Sequence, residues 1–239
     1  MENIFIYASY FFSIAAILIS IIMLSNISLK SNLNKVNTQA KEFNLNEIKQ
    51  VRSSKGYLFV KRIIDLVFGI TSFIVLIPTF LLVSIMIKLE SGGNIFIKRE
   101  VCAQYRKKIY VYKFKTRYKD VGSESNKLEY TRVGRFLYRT AIDQLPMIIN
   151  VIKGEMSIIG VGFYDNDRYN KFTSVAQENI NRVKPGIVSL WAISLDKQKF
   201  DFENRQIFDL IYIDNLSLSM DISIMIKTFF VAFGVAGDY

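Results

Sequence analysis

The chain of 239 residues has no histidine and a single cysteine. Without an imidazole, every Ser-His, Cys-His and His-metal catalytic arrangement is excluded, because each needs a group that titrates near neutrality. One thiol cannot close an internal disulfide, and one Cys without His cannot build an ordinary zinc site. Chemistry must therefore run on carboxylates, hydroxyls, Lys, Arg or an oxygen-liganded divalent ion. What is abundant is apolar residues, 51% of the chain beside 22% charged ones, which suggests a membrane-associated part next to one domain of ordinary size.

Two long stretches are free of charge. Asn3–Leu29 carries none, and about 20 apolar residues cross a bilayer as a helix, so residues 1–29 are expected to form a retained transmembrane anchor. A cleaved signal peptide fits poorly, since Glu2 stands where a basic segment belongs and no Ala-x-Ala-like site follows. Only Glu2 precedes the stretch, whereas Lys30, Lys35 and Lys41 follow it, which puts the bulk of the chain on the cytoplasmic face. Residues 30–57 are polar and read as a linker, with room for a short helix near Phe43–Val51. The second apolar stretch, Leu66–Ile87, is flanked by Lys55, Lys61 and Arg62 before and by Lys88, Lys98 and Arg99 after. A simple span would put one basic cluster outside, and Pro78 removes a backbone donor just past the middle. Residues 58–89 are therefore expected to form a re-entrant helix that breaks at Ile77-Pro78 and returns to the same face. An ordinary second span is the alternative. Lys61, Arg62 and Asp65 share a helical face, so the acid can be paired there.

Between Lys88 and Arg139 there are 14 Lys+Arg against 5 Asp+Glu, which concentrates nearly all of the net charge of +10 just after the apolar stretch. Solvated surface, attraction to anionic headgroups and binding of a phosphorylated ligand all remain open, while nothing resembles a nucleic-acid module. Ile109–Lys115 alternates as a strand, with Lys113 and Lys115 on one face, able to hold a diphosphate or to point into solvent. Asn204–Asp214 reads as an amphipathic helix, and Leu216–Val235, interrupted by Asp221 and Lys227, as an interfacial helix or one packed on the domain. Trp191 reads as core or interface packing.

The order of motifs carries more. Lys61-Arg62-x-x-Asp65, the Pro78-interrupted run, Tyr112-Lys113-Phe114, Thr131-Arg132-Val133-Gly134-Arg135, Asp143-Gln144-Leu145-Pro146, Lys153-Gly154-Glu155-Met156-Ser157 and Lys184-Pro185-Gly186 follow one another along the chain. In this arrangement the sequence from about residue 58 onward resembles the bacterial sugar transferases, the monotopic polyprenyl-phosphate phosphoglycosyl transferases. The resemblance implies an α+β fold, mostly helical with a small sheet, in a domain over 58–239. That domain divides into the re-entrant helix, a cytoplasmic catalytic-type region over 90–215, and an interfacial helix and tail over 216–239. It implies transfer of a phosphosugar from a UDP-sugar to polyprenyl phosphate at the cytoplasmic face of the bacterial inner membrane, initiating a surface polysaccharide. Asp143 matches the family nucleophile, which attacks the β-phosphate and forms an aspartyl intermediate, splitting one hard displacement into two easier ones. Mg²⁺, with Gln144 and Glu155 as its candidate ligands, and Lys113, Lys115, Arg132 and Lys184 would face the phosphates. Self-association or pairing with partner glycosyltransferases stays open.

The sequence also departs from the family pattern. Gln144 stands where a Glu is usual, and an amide lacks the charge that favours a hard cation. Val161-Gly162-Phe163 replaces a Pro-Arg-Pro, and with it a bidentate phosphate donor. Glycines are missing from Glu100–Lys108, and Lys115-Thr116 replaces Arg-Ser. These changes fall at the expected chemistry and spare the scaffold motifs, so a catalytically weakened or inactive relative that binds lipid phosphate or nucleotide sugar is the competing expectation.

Overall fold

The structure is a computed structural model that describes residues 54–118, 129–193 and 205–232. The expected anchor over 1–29, the helix near Phe43–Val51 and almost all of the linker lie outside these residues.

The longest element is helix α1, Lys55–Ser91, of 37 residues and so about 55 Å. It begins three residues earlier than expected because the Ser54 side chain accepts the Tyr57 N–H at 3.1 Å, an N-cap. It ends at Gly92, whose φ of 60° leaves the helical region. Pro78 lies inside the helix, which continues on both sides of it, rather than between two separate helices. Asp65, Gly69, Val83 and Ile87 are buried, and Phe73 and Phe80 pack between them. Their spacing traces one face of the helix, and that face lies against the rest of the domain.

The basic end of α1 is held by specific partners. Arg62 donates to the carbonyls of Val151 and Ile152 at 2.7 and 2.9 Å, at the C-terminus of helix α3 (Ile148–Lys153), where carbonyls lack helical partners. Gly154 ends α3 in the left-handed region at φ 85°, and a Cβ there would stand 3.1 Å from the guanidinium, so glycine serves both geometry and space. Asp65 accepts from Ser157 Oγ at 2.8 Å and Ile158 N at 2.9 Å. The expected pairing of Asp65 with its helical neighbours is thus replaced by contacts across the fold, because backbone and hydroxyl donors reach it in the interior.

Strands β1 (Phe96–Cys102) and β2 (Lys108–Phe114) form an antiparallel hairpin with Phe96 opposite Phe114 and Cys102 opposite Lys108. At its tip Tyr105 and Arg106 have φ of 60° and 57°, positions that favour glycine or asparagine; this is the stretch in which the expected glycines are missing. Lys115 falls just past the strand, its N–H donating to Ile95 O. Helix α2 (Arg132–Arg139) follows, capped by Thr131 Oγ1 on Gly134 N and by the Glu90 carboxylate on the N–H groups of Arg132 and Val133. Strands β3 (Ser157–Ile159) and β4 (Gly186–Val188) pair in parallel, with the short helices α4 (Asn166–Tyr169) and α5 (Ser174–Ile180) between them in sequence.

Helix α6, Arg205–Asp214, departs from the amphipathic expectation, since Phe208 through Ile213 are all buried. Its polar positions sit inside because they have partners: Gln206 accepts the Thr173 N–H, and Asp209 accepts from Gly162 and Tyr164. Helix α7, Leu218–Ala232, is packed on the domain, the second of its two expected placements. Asp221 fixes it there, accepting from Tyr57 Oη at 2.9 Å, Lys61 Nζ at 2.8 Å and Tyr212 Oη at 2.7 Å. The result is an α+β architecture, mostly helical, with two small sheets.

Candidate active site

Asp143 lies in a 3₁₀ turn, Ile142–Met147, that joins α2 to α3. Ala141 enters the turn at φ 57°, and the Gln144 N–H closes it on the Ala141 carbonyl at 3.1 Å. Leu137 before the turn and Met147 at its end are fully buried, which pins both sides against the domain. The carboxylate is therefore held by backbone on rigid flanks rather than on a loose loop.

Only 5% of Asp143 is exposed. Its Oδ2 stands 3.8 Å from Lys113 Nζ, wider than a direct hydrogen bond, and its Oδ1 is buried with no side-chain partner among the described residues. Buried polar atoms are nearly always satisfied, and the exceptions cluster where a ligand or a reaction uses them. Burial pushes the Asp143 carboxyl above the usual carboxylate range, with the Lys113 ammonium pulling the other way. Burial likewise pushes Lys113 below the usual lysine range, opposed by Asp143. Burial thus works against the charged form of both groups, while each one's charge favours the other's.

Lys113 has a second neighbour. The Phe163 ring lies with its centroid 5.0 Å from Nζ, a cation–π contact. Thus the side chain of Lys113 is only 13% exposed, and Lys115 is buried as well. The solvent-facing alternative for the two strand lysines is excluded. The remaining expected site residues lie apart from this pair in their contacts. Arg132 is exposed, with its backbone N–H on Glu90. Lys184 has Arg62 and Asp65 as its charged neighbours, and burial first, then Arg62, push it below the usual lysine range. Glu155 accepts from Asn150 Nδ2 at 2.7 Å, and Asn150 also donates to Tyr110 O. Gln144 is half-buried beside Asp143.

These residues do not form an all-protein cage for a divalent ion. Glu155 is engaged by Asn150, a lysine ammonium faces the Asp143 carboxylate, and among the described residues no three acid, His or Cys side chains gather.

Several residues that shape the site were not singled out from sequence for that role. In the sequence Phe163 stands only within a departure from the family pattern, and Asp209, which holds the neighbouring backbone, only within the helical segment Asn204–Asp214. Trp191, expected in packing, sits edge-on to Phe208 at 5.2 Å, in agreement with that reading.

Comparison with known proteins matches the sequence to a family. Residues 56–235 fit the family model described as bacterial sugar transferase. The exopolysaccharide production protein ExoY of Sinorhizobium fredii is 31% identical over 189 residues, covering 70% of this chain and 83% of that protein. The UDP-glucose:undecaprenyl-phosphate glucose-1-phosphate transferase of Klebsiella pneumoniae is 29% identical over 185 residues, 72% of this chain and 40% of the relative. The UDP-N-acetylgalactosamine-undecaprenyl-phosphate N-acetylgalactosaminephosphotransferase of Aeromonas hydrophila is 28% identical over 194 residues, covering 77% and 46%. The chain thus spans most of the ExoY protein and less than half of the two larger relatives. With the family model covering three quarters of its length, and Asp143 in a rigid turn beside Lys113, the chain belongs to the bacterial sugar transferase family.

Proposed function

We propose that this protein transfers a phosphosugar from a UDP-sugar to polyprenyl phosphate, with Asp143 as the nucleophile. The observation that carries the reading is the buried Asp143 Oδ1, with no side-chain partner among the described residues, beside Lys113 in a chain that contains no histidine. The names of the relatives, which act on UDP-sugars and undecaprenyl phosphate, supply the substrate class. A carboxylate oxygen attacks the β-phosphorus; the bond from that phosphorus to the α-phosphate oxygen breaks, and UMP leaves with the electron pair. A phosphate oxygen of the polyprenyl acceptor then attacks the aspartyl phosphorus, restoring the carboxylate and giving a polyprenyl diphosphate sugar. Neither step needs a general base that titrates near neutrality, because both nucleophiles are already anionic. Lys113 stabilises the charge that gathers on the transferred phosphoryl oxygens.

The acceptor demands a membrane, and α1 suits one. Among the described helices it alone is long and apolar enough to cross a bilayer. Its outward side carries Val75 and Leu81, exposed at 69% and 61%, too much apolar surface to leave in water. The placement proposed for α1 is re-entrant, with both ends on the cytoplasmic side, because both ends are basic and both are tied to the same domain through Lys61, Arg62 and Glu90.

A second reading has its own support. With Asp143 almost wholly buried, Lys113 covered by Phe163 and Gln144 in place of an acid, the chain is a weakened family member that binds the nucleotide sugar or lipid phosphate without turnover. The test is release of UMP by the full chain in lipid, with polyprenyl phosphate and a panel of UDP-sugars, in the presence and absence of Mg²⁺. Turnover that disappears in Asp143→Asn supports the transferase. Binding without release, with turnover gained in Gln144→Glu, supports the weakened site. Release that persists in Asp143→Asn contradicts the assignment of the nucleophile.

A further inference from the structure

The segment Val161–Tyr164 is fixed to helix α6 by one side chain. Asp209, with no exposure to solvent, accepts the Gly162 N–H on both carboxylate oxygens, at 2.9 and 3.1 Å, and the Tyr164 hydroxyl at 2.6 Å. On the other side the Tyr164 carbonyl accepts the Cys102 N–H at 2.8 Å, at the end of β1. Phe163 thus stands between two anchored residues, and its ring faces the Lys113 ammonium. The same contacts explain why residue 162 is glycine: a Cβ there would come within 2.4 Å of the Tyr164 hydroxyl, the atom that reaches Asp209. Gly162 and the Phe163 ring over Lys113 thus belong to one anchored segment. An arginine side chain at 162 cannot coexist with the Tyr164–Asp209 contact as it stands.

We propose that Phe163 is the access-controlling residue of the Asp143 site and that Asp209, acting through Gly162 and Tyr164, is the positioning residue that keeps it closed. The inference rests on Asp143 being the reacting carboxylate, but the closure concerns the chain whether or not it turns over. The ring is attracted to the ammonium and excludes water from it, so an incoming diphosphate must displace the ring before it can pair with Lys113. Closure of this kind is a device for selecting donors: only a ligand whose own contacts offset the lost ring–ammonium attraction opens the site.

The experiment is carboxyl labelling of the full chain in lipid vesicles with a water-soluble carbodiimide and a small amine, read by peptide mass. In Phe163→Ala the label on Asp143 is expected to rise roughly tenfold, the change that loss of a desolvated cation–π contact produces in an opening equilibrium. Label on Glu178, exposed on α5 and paired with Arg182, should not change. Phe163→Tyr keeps the ring and should label like the natural chain. Asp209→Ala should open the site as Phe163→Ala does, whereas Asp209→Asn, whose amide can still accept from Gly162, should leave it closed. Equal labelling of Asp143 in the natural chain and in Phe163→Ala overturns the proposal; should Asp209→Ala fail to fold, the Phe163 pair decides alone. Because labelling reads access and not turnover, this result is independent of whether UMP release confirms the transferase.

Discussion

Asp143 and Asp209 are both buried carboxylates, and they differ in what surrounds them. Asp209 takes hydrogen bonds from Gly162 and Tyr164, yet burial still pushes its carboxyl up to about 6. Its folded value lies above its unfolded one, so the stability it contributes is fully present below the unfolded value near 3.8 and is lost as pH rises through about 6. Asp209→Asn, which stays neutral, should gain stability relative to the natural chain by about 2–3 kcal/mol between pH 4 and pH 7. Urea midpoints at the two pH values measure this; a gap that does not change with pH would contradict it. Asp143 was legible in sequence because it sits in a motif with recognisable flanks. Asp209 and Phe163 were not. Nothing in a period of 3.6 residues distinguishes an acid that faces solvent from one that holds a backbone N–H inside, and Phe163 matters only through Lys113, fifty positions away in sequence.

At the scale of elements, α1 and α7 could be seen as apolar runs, and β2 as an alternating strand, within a few residues of their observed bounds. Their partners could not. Asp221 marked α7 as unfit to span a membrane, but its three donors come from α1 and α6, two of them more than 150 residues distant. The amphipathic reading of α6 failed for a related reason: the helix is buried by elements, Ser174–Ile180 among them, that sequence periodicity does not place. The Lys61–Asp221 pair is the tie most exposed to test. Asp221→Ala leaves the largely buried Lys61 without its anion and the Tyr57 hydroxyl without that acceptor, and leaves Tyr212 only a 3.5 Å contact to the Ile159 carbonyl. It should cost about 3 kcal/mol of stability in denaturant unfolding. The double variant Lys61→Met with Asp221→Leu, which removes the charges together, should recover part of that loss. A loss under about 0.5 kcal/mol for Asp221→Ala, the size of an exposed ion pair, would show that the contact does not hold α7 in place.

For the molecule as a whole, the charge of +10 and the apolar outward side of α1 point to one membrane surface. The apolar run of α1 was readable from composition, whereas the fit of the domain along the full length of α1 was not, since it depends on contacts from Lys61 through Glu90. Re-entrant placement predicts that cysteines at positions 55 and 94, in a Cys102→Ser background, react with an impermeant thiol reagent from the same side. Reaction from opposite sides would establish a span instead. The chemistry at Asp143 leaves a trace that mass can read. The full chain in lipid is mixed with a UDP-sugar and no acceptor, quenched, and its peptides weighed. A phosphosugar mass on the peptide that contains Asp143, discharged when polyprenyl phosphate is added and absent in Asp143→Asn, is the predicted result. UMP released without that adduct, or an adduct that survives the substitution, would contradict it.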